Sequence, residues 1–174
     1  MSDKDKYAVF GNPIKHSKSP SIHAAFAAQC AQAVQYRAVR VEGDGFARAA
    51  TNFFSEGGCG LNVTVPFKHD AFDFADHLTE RARRARAVNT LSRAEDGTIE
   101  GDNTDGIGIV RDMVANLGWV IQGMRVLIIG AGGAARAAAL ALKSLGMTLA
   151  VVNRTPIRAR ELARDIGGEG GGLD

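Results

Sequence analysis

Val126-Leu127-Ile128-Ile129 runs without a break into Gly130-Ala131-Gly132-Gly133-Ala134-Ala135. A continuous apolar run of this kind reads as a strand buried on both faces. G-x-G-x-x-A directly after such a strand reads as the turn that opens a dinucleotide-binding helix. Gly130 permits the tight turn, Gly132 lets a pyrophosphate approach the backbone, and the small residue at 135 lets helix pack on strand. Exposed N–H groups and the positive dipole end of that helix then face the phosphates. Without a ligand, the same residues make only a tight strand-to-helix turn. An Ala/Leu-rich helix follows to Leu145, then a strand over 148–152 and a helix opened by Asn153-Arg154-Thr155-Pro156. Together these form one βαβ unit and the start of its next helix.

The end of the second strand bears on which dinucleotide is bound. An NAD site places Asp or Glu about 20 residues past the turn, accepting from the ribose 2′-hydroxyl. This chain has Asn153 there, then Arg154, Thr155 and, one helical turn on, Arg158. A carboxylate would repel a 2′-phosphate, whereas two guanidiniums and a hydroxyl would hold one. The pattern favours NADP. Otherwise the arginines are surface charges and Thr155 is a helix cap.

The first hundred residues repeat the α/β theme. Strands are expected at 7–10, 36–41 and 61–65. The first helix starts at Ser19-Pro20 and carries Ile22, Phe26 and Ala27 on one face. The second is capped by Asp44 and ended by Gly57-Gly58. A helix begins near Pro66 and another covers 79–86. Asp96-Gly97 then marks a hairpin between strands at 88–92 and 98–101. A further helix covers 105–117. The resulting fold class is α/β, with an N-terminal α/β domain at 1–105 and an incomplete Rossmann-type domain at 106–174. The tail GGEGGGLD carries no periodicity and is expected to stay unfolded.

Composition excludes several classes of function. With 45% apolar residues the chain can build a core, and a net charge of +2 points to neither nucleic acid nor membrane. The run Arg81, Arg83, Arg84, Arg86 has no interleaved aromatics and reads as a solvated helix face. Cys30 and Cys59 have neither disulfide-framework nor metal spacing, as in a cytoplasmic protein. The N-terminus lacks a signal-peptide run, and no segment reaches membrane-spanning length. His69, Asp73, Asp76 and His77 could share one side of a helix, but they match no metal-site pattern. Nothing in the residues speaks to oligomeric state.

Two residues are candidates for proton chemistry. Lys68 follows the strand in NVTVPFK and Asp105 lies in GDNTDG, each where an α/β sheet exposes side chains at its strand ends. A lysine works as a general acid or base when partly desolvated and not locked in a closed ion pair. The two groups should therefore share a substrate. A plain surface ion pair is the alternative. Ser17, Ser19, Thr64 and Asn89 are further polar candidates, though a helix cap, a strand position and a strand edge would explain the last three.

Taken together, YAVFGNPIKHSKSPSIH at 7–23, NVTVPFK at 62–68, AVNTL at 87–91, GDNTDG at 101–106, GAGGAAR at 130–136 and NRT at 153–155 resemble the shikimate dehydrogenase family. The pieces come in the family's order and cover the chain from residue 7 to about 166. The resemblance implies an NADP-dependent oxidoreductase of aromatic amino acid biosynthesis that reduces 3-dehydroshikimate to shikimate. Residues 1–105 would bind substrate. Ser17, Ser19 and Thr64 would take its carboxylate, and Asn89 a ring hydroxyl together with Lys68 and Asp105. Lys68 and Asp105 would be the catalytic pair. Gly130, Ala131, Gly132, Gly133 and Ala134 would bind the pyrophosphate, and Asn153, Arg154, Thr155 and Arg158 the 2′-phosphate. No metal is implied.

Relative to the family, the chain is expected to be truncated. Two or three further βαβ steps are missing, and with them the nicotinamide-facing half of the cofactor site and a substrate-contacting glutamine. Two alternatives stay open: a quinate/shikimate dehydrogenase preferring NAD, and a silent binder of shikimate-like acids.

Overall fold

The computed structural model describes residues 4–173, which divide into two compact units. One runs to Glu80 and takes in Val88–Asp102; the other comprises Arg81–Ala87 and the chain from Asn103 onward.

The first unit is built on a six-stranded sheet. Its strands are β1 (Asp5–Gly11), β2 (Val34–Arg40), β3 (Gly58–Val63), β4 (His77–Leu78), β5 (Thr90–Arg93) and β6 (Ile99–Asp102), in the order β2-β1-β3-β5-β6-β4. β1 runs parallel to both neighbours, whereas β5 is antiparallel to β3 and β6. Register separates two faces. Tyr7, Tyr36, Asn62 and Thr90 share one face, and Phe10, Val63 and Leu91 the other.

The apolar face is covered by α2 (Phe46–Ser55) and α3 (Lys68–Phe74), because α2 buries Phe46, Ala50, Phe53 and Phe54 at helical spacing. Six of the eight phenylalanines meet here. Phe10 packs edge-on against Phe46 and Phe53, Phe46 stacks on Phe67, and Phe74 closes against Phe46 and Phe54. The other face carries α1 (Ser19–Gln29), which buries no residue; Ile22 and Phe26 are about half exposed.

Local expectations fail in identifiable ways. Neither Ser19 nor Asp44 caps a helix. Lys18 occupies the cap position of α1, with Ser19 as its first residue, and the turn closed by Gly45 N–H to the Glu42 carbonyl puts Gly45 before α2. The two-residue β4 has no hydrophobic pattern to betray it and forms because β6 offers it a parallel edge.

In the second unit, β7 (Arg125–Ile129), β8 (Thr148–Val152) and β9 (Glu169–Gly171) form a parallel three-stranded sheet, a partial Rossmann sheet. α6 (Gly133–Ser144) links β7 to β8, and α7 (Pro156–Ile166) links β8 to β9. Leu142, Leu149, Val151, Leu162 and Ile166 form its core, with Val126 and Ile128 packed against them. β7 is therefore not buried on both faces. Right-handed crossovers in the order β7-β8-β9 put both helices on one side, leaving Leu127 59% and Ile129 73% exposed on the other. The helix expected over 105–117 ends as α5 (Asp105–Arg111). Over Asp112–Asn116 it widens into a π-helical turn, in which Leu117 N–H reaches the Asp112 carbonyl and Asn116 Nδ2 bonds the Asp112 carboxylate. α4 (Glu80–Ala85) contributes buried Ala82 and Ala85.

Residues 169–171 of the glycine tail do fold. β9 pairs through main-chain hydrogen bonds, which need no side-chain pattern, and the missing side chain at Gly170 lets α7 close on it. A Cβ on Gly170 would lie 2.7 Å from the Ala159 carbonyl oxygen and 2.8 Å from the Ala163 Cβ. Gly170→Val is thus expected to peel β9 from the sheet, at a cost of about 1–3 kcal/mol. Hydrogen exchange should show lost protection at 169–171 and at Asn153, whose N–H donates to Gly171.

Candidate active site

In the first unit, the carboxyl ends of β1 and β3 lie side by side, as parallel neighbours must. Their loops are tied by Thr64 N–H to the Phe10 carbonyl (2.9 Å) and Asn12 N–H to the Val65 carbonyl (2.9 Å). The peptides Asn12–Pro13 and Val65–Pro66 are both cis. Glycine at position 11 is required for this approach, because a Cβ there would run into the Thr64 methyl.

The result is a cavity of about 300 Å³ that brings together Ser17, Ser19 and Thr64, with His16 and the apolar Val9, Pro13 and Ile14. Ser17 Oγ also accepts from the Ser19 N–H at 3.3 Å. Three hydroxyls converging from two loops can receive a small anion. A larger cavity of about 410 Å³ lies under α1, lined by Phe26, Ala27 and Val34 and also by the polar Tyr36, Asn62 and Thr90. Volume favours the larger space. Chemistry favours the smaller, whose polar groups converge from separate loops.

Lys68 opens α3, a few residues beyond β3. Its carbonyl accepts Val88 N–H at 2.8 Å, which ties the helix start to the segment carrying Asn89. Asn89 N–H donates to the Asp102 carbonyl (3.0 Å), and its own carbonyl accepts Val63 N–H (2.8 Å). All these groups belong to the same unit.

Three residues that carry no expectation as site groups, Tyr36, Asn62 and Thr90, form a hydrogen-bonded string that ends on Asn89. Tyr36 Oη donates to Asn62 Oδ1 at 2.7 Å, Asn62 Nδ2 reaches Thr90 Oγ1 at 3.3 Å, and Thr90 Oγ1 donates to Asn89 Oδ1 at 2.9 Å. Burial pushes the pKa of the Tyr36 phenol up to about 12. The available signal was Asn62, an amide inside an apolar strand that must find partners.

The glycine turn lies in the second unit. Gly130 has φ +120°, a conformation that favours glycine, and donates its N–H to the Val152 carbonyl at 2.7 Å. Gly132 caps α6, yet a Cβ there would meet no protein atom within 4 Å. The protein itself does not demand glycine at 132; the open space in front of the turn suits a pyrophosphate. Gly133 has a packing reason, since its Cβ would strike that of Ala87.

Thr155 takes the cap position of α7 but makes no side-chain cap bond, with Pro156 following. Arg154 and Arg158 are exposed beside it, and Asn153 Nδ2 donates to the Thr155 carbonyl at 3.1 Å. These residues suit a phosphomonoester. Arg136 of the glycine motif instead bonds Asp165 at 2.6 Å, joining α6 to α7. Asp105 begins α5, with its N–H on Asn103 Oδ1 at 3.1 Å; Asn103 is buried and donates to the Ala87 carbonyl. Among the described residues there is no group of three or more metal-ligating side chains, and no helix long and apolar enough to cross a membrane. Asp76 lies past the end of α3, where it accepts the Ile99 N–H, so the four His and Asp residues do not share one helix.

An α/β unit joined in sequence to a partial Rossmann sheet that opens on a glycine turn defines a protein of the dinucleotide-fold class. Residues 9–91 match the shikimate dehydrogenase substrate binding domain, and residues 113–171 match the shikimate/quinate 5-dehydrogenase family. The chain belongs to the shikimate dehydrogenase family. It is 54% identical to a shikimate dehydrogenase (NADP(+)) of Cupriavidus necator, over all of this chain and 62% of that protein. The shikimate dehydrogenase of Aquifex aeolicus superposes with a TM-score of 0.90 at 31% identity, covering 100% of this chain and 64% of the other. The Thermus thermophilus enzyme, solved with NADP(H) and shikimate, gives 0.88 at 33%, covering 98% and 63%. The chain thus spans a little over three fifths of the length of these relatives.

Proposed function

We propose that this chain carries the substrate cradle and the adenosine-side dinucleotide strands of an NADP-dependent shikimate dehydrogenase, which interconverts 3-dehydroshikimate and shikimate. The observation that carries the reading is that Ser17, Ser19 and Thr64 line one cavity of about 300 Å³ at the strand ends. A carboxylate there would accept charge-assisted hydrogen bonds from the hydroxyls. Asn89 and Lys68 hold a ring hydroxyl, and Lys68 gives a proton to the carbonyl oxygen as reduction proceeds. Asp105 is its carboxylate counterpart. When bound, NADPH supplies the hydride. Gly130, Ala131, Gly132, Gly133 and Ala134 receive its pyrophosphate, and Asn153, Arg154, Thr155 and Arg158 its 2′-phosphate. Residues 1–105 serve substrate and 106–174 the cofactor. A cytoplasmic setting suits the two free thiols, Cys30 and Cys59.

The test is NADPH formation from shikimate, followed by absorbance and compared with NADH formation. Shikimate-dependent turnover with preference for NADP is expected; folded protein with no turnover overturns the enzyme reading for this chain. Arg154→Ala and Arg158→Ala should each lower NADP affinity about tenfold to a hundredfold, the range for a charged hydrogen bond, and leave NAD affinity unchanged. Equal losses for both cofactors would remove the 2′-phosphate assignment.

A further inference from the structure

We propose that His16 is a further substrate-binding residue, whose imidazolium brings positive charge to the cavity of Ser17, Ser19 and Thr64 and selects an ionised carboxylate; the inference rests on reading that cavity as the carboxylate site. Among the described residues that line it, His16 has the one side chain able to carry a charge. The others are three hydroxyls and the apolar Val9, Pro13 and Ile14. A carboxylate presents about four lone-pair sites on its two oxygens. Three hydroxyl donors leave one of those sites open and the charge itself unmatched. A charge taken out of water needs a partner of opposite sign to offset its desolvation. An imidazolium meets both needs, with a ring N–H for the open lone pair and a positive charge for the anion. Such a bond between ionised partners is roughly twice as strong as a neutral one.

A tight turn puts His16 in place. Ser17 N–H donates to the Ile14 carbonyl at 3.0 Å, so Lys15 and His16 hold the central positions of a four-residue turn. Buried Ile14 anchors that turn. Ser17 leaves it with its Oγ accepting the Ser19 N–H, which keeps the Ser17 hydroxyl proton for a ligand. Thr64 comes from the other loop, its methyl turned to Gly11. His16 is exposed as well as cavity-lining, which sets it at the mouth. Lys15 and Lys18 flank it on its own segment, exposed and outside the lining. β1 and the segment after β3 present Val9 and Thr64 to the cavity, and neither titrates. No carboxylate among the described residues lines this space, so a bound anion becomes the counter-ion of the imidazolium.

Imidazoles ordinarily titrate near pH 6.5, whereas a carboxylic acid is largely ionised above about pH 5. Between about pH 5.5 and about pH 8 the ligand therefore keeps its charge while an imidazole gives up its own. Affinity is full where the imidazole is protonated and falls as pH rises through that range.

Shikimate titrations at about pH 5.5 and about pH 8 test this. The unaltered chain should bind roughly threefold to tenfold more tightly at the lower pH, between the effect of an exposed ion pair and that of a charged hydrogen bond. His16→Gln keeps a donor without the charge and should show the weaker affinity at both values. His16→Lys keeps the charge and should show the tighter one at both. Shikimate methyl ester, with no charge to match, should bind weakly and alike at both, a pattern that a purely structural role for His16 would not produce. The His16 ring signal, identified by its loss in His16→Gln, should titrate at higher pH once shikimate is bound. Binding that is equal at both values, or that keeps its pH dependence in His16→Gln, overturns the inference and leaves the proposed function standing. No shikimate binding by folded protein at either value rejects the carboxylate reading of the cavity, and this inference with it.

Discussion

Lys68→Ala is expected to lower kcat for NADP-dependent shikimate oxidation by about 10²–10⁴-fold, the usual contribution of a general acid or base. That corresponds to about 3–5.5 kcal/mol of transition-state stabilisation. Shikimate affinity should fall far less, because the carboxylate cradle is made by three other residues, Ser17, Ser19 and Thr64. The main chain at 68 is held by Val88 N–H on its carbonyl whichever side chain stands there, and urea unfolding of the variant checks that it is folded. Steady-state kinetics beside direct shikimate binding separates the outcomes. A variant that loses affinity at unchanged kcat would make Lys68 a positioning residue.

Phe46→Ala should cost about 3–5 kcal/mol of stability, the range for emptying an aromatic site in a packed core. Phe46 is 1% exposed and touches Phe10 on the sheet, Phe67 before α3 and Phe74 at its end. Those rings hold α3 against α2, so the loss would also loosen the helix that Lys68 opens. Against a typical domain stability of about 5–15 kcal/mol, urea unfolding should show a large drop in midpoint. A change under about 1 kcal/mol would mean the aromatic cluster is not what holds this face together.

Much of the second unit was legible because its signals are local. The run before Gly130 makes a strand, the glycines make a turn, and Pro156 opens a helix, all within a few residues. Among the described residues β7 is covered on one face. Its apolar run matches a strand covered twice, but the order β7-β8-β9 puts α6 and α7 on one side. The tail was misread because glycine-rich sequence carries no pattern, whereas parallel pairing asks only for main-chain groups and Gly170 is needed for α7 to approach.

The first unit divides the same way. Ser17, Ser19, Thr64, Lys68 and Asn89 stand out as residues, yet that three of them line one cavity follows from parallel pairing of β1 and β3, strands 53 residues apart in sequence at their paired positions (62 − 9 = 53 for Asn62 against Val9, 63 − 10 = 53 for Val63 against Phe10). Asn62 opens NVTVPFK and Thr90 lies in AVNTL, but nothing in either motif, or around Tyr36, says that the three meet. Their bond partners are 26 and 28 residues away, and whether an amide donates or accepts depends on the groups opposite it. Linear order thus carries the family, the dinucleotide turn and the chemical types of the site, because those depend on residue identity and short-range geometry. Which faces are covered, which hydroxyls converge and which way each hydrogen bond points arise in the folded sheet, where strand register sets distant residues against one another.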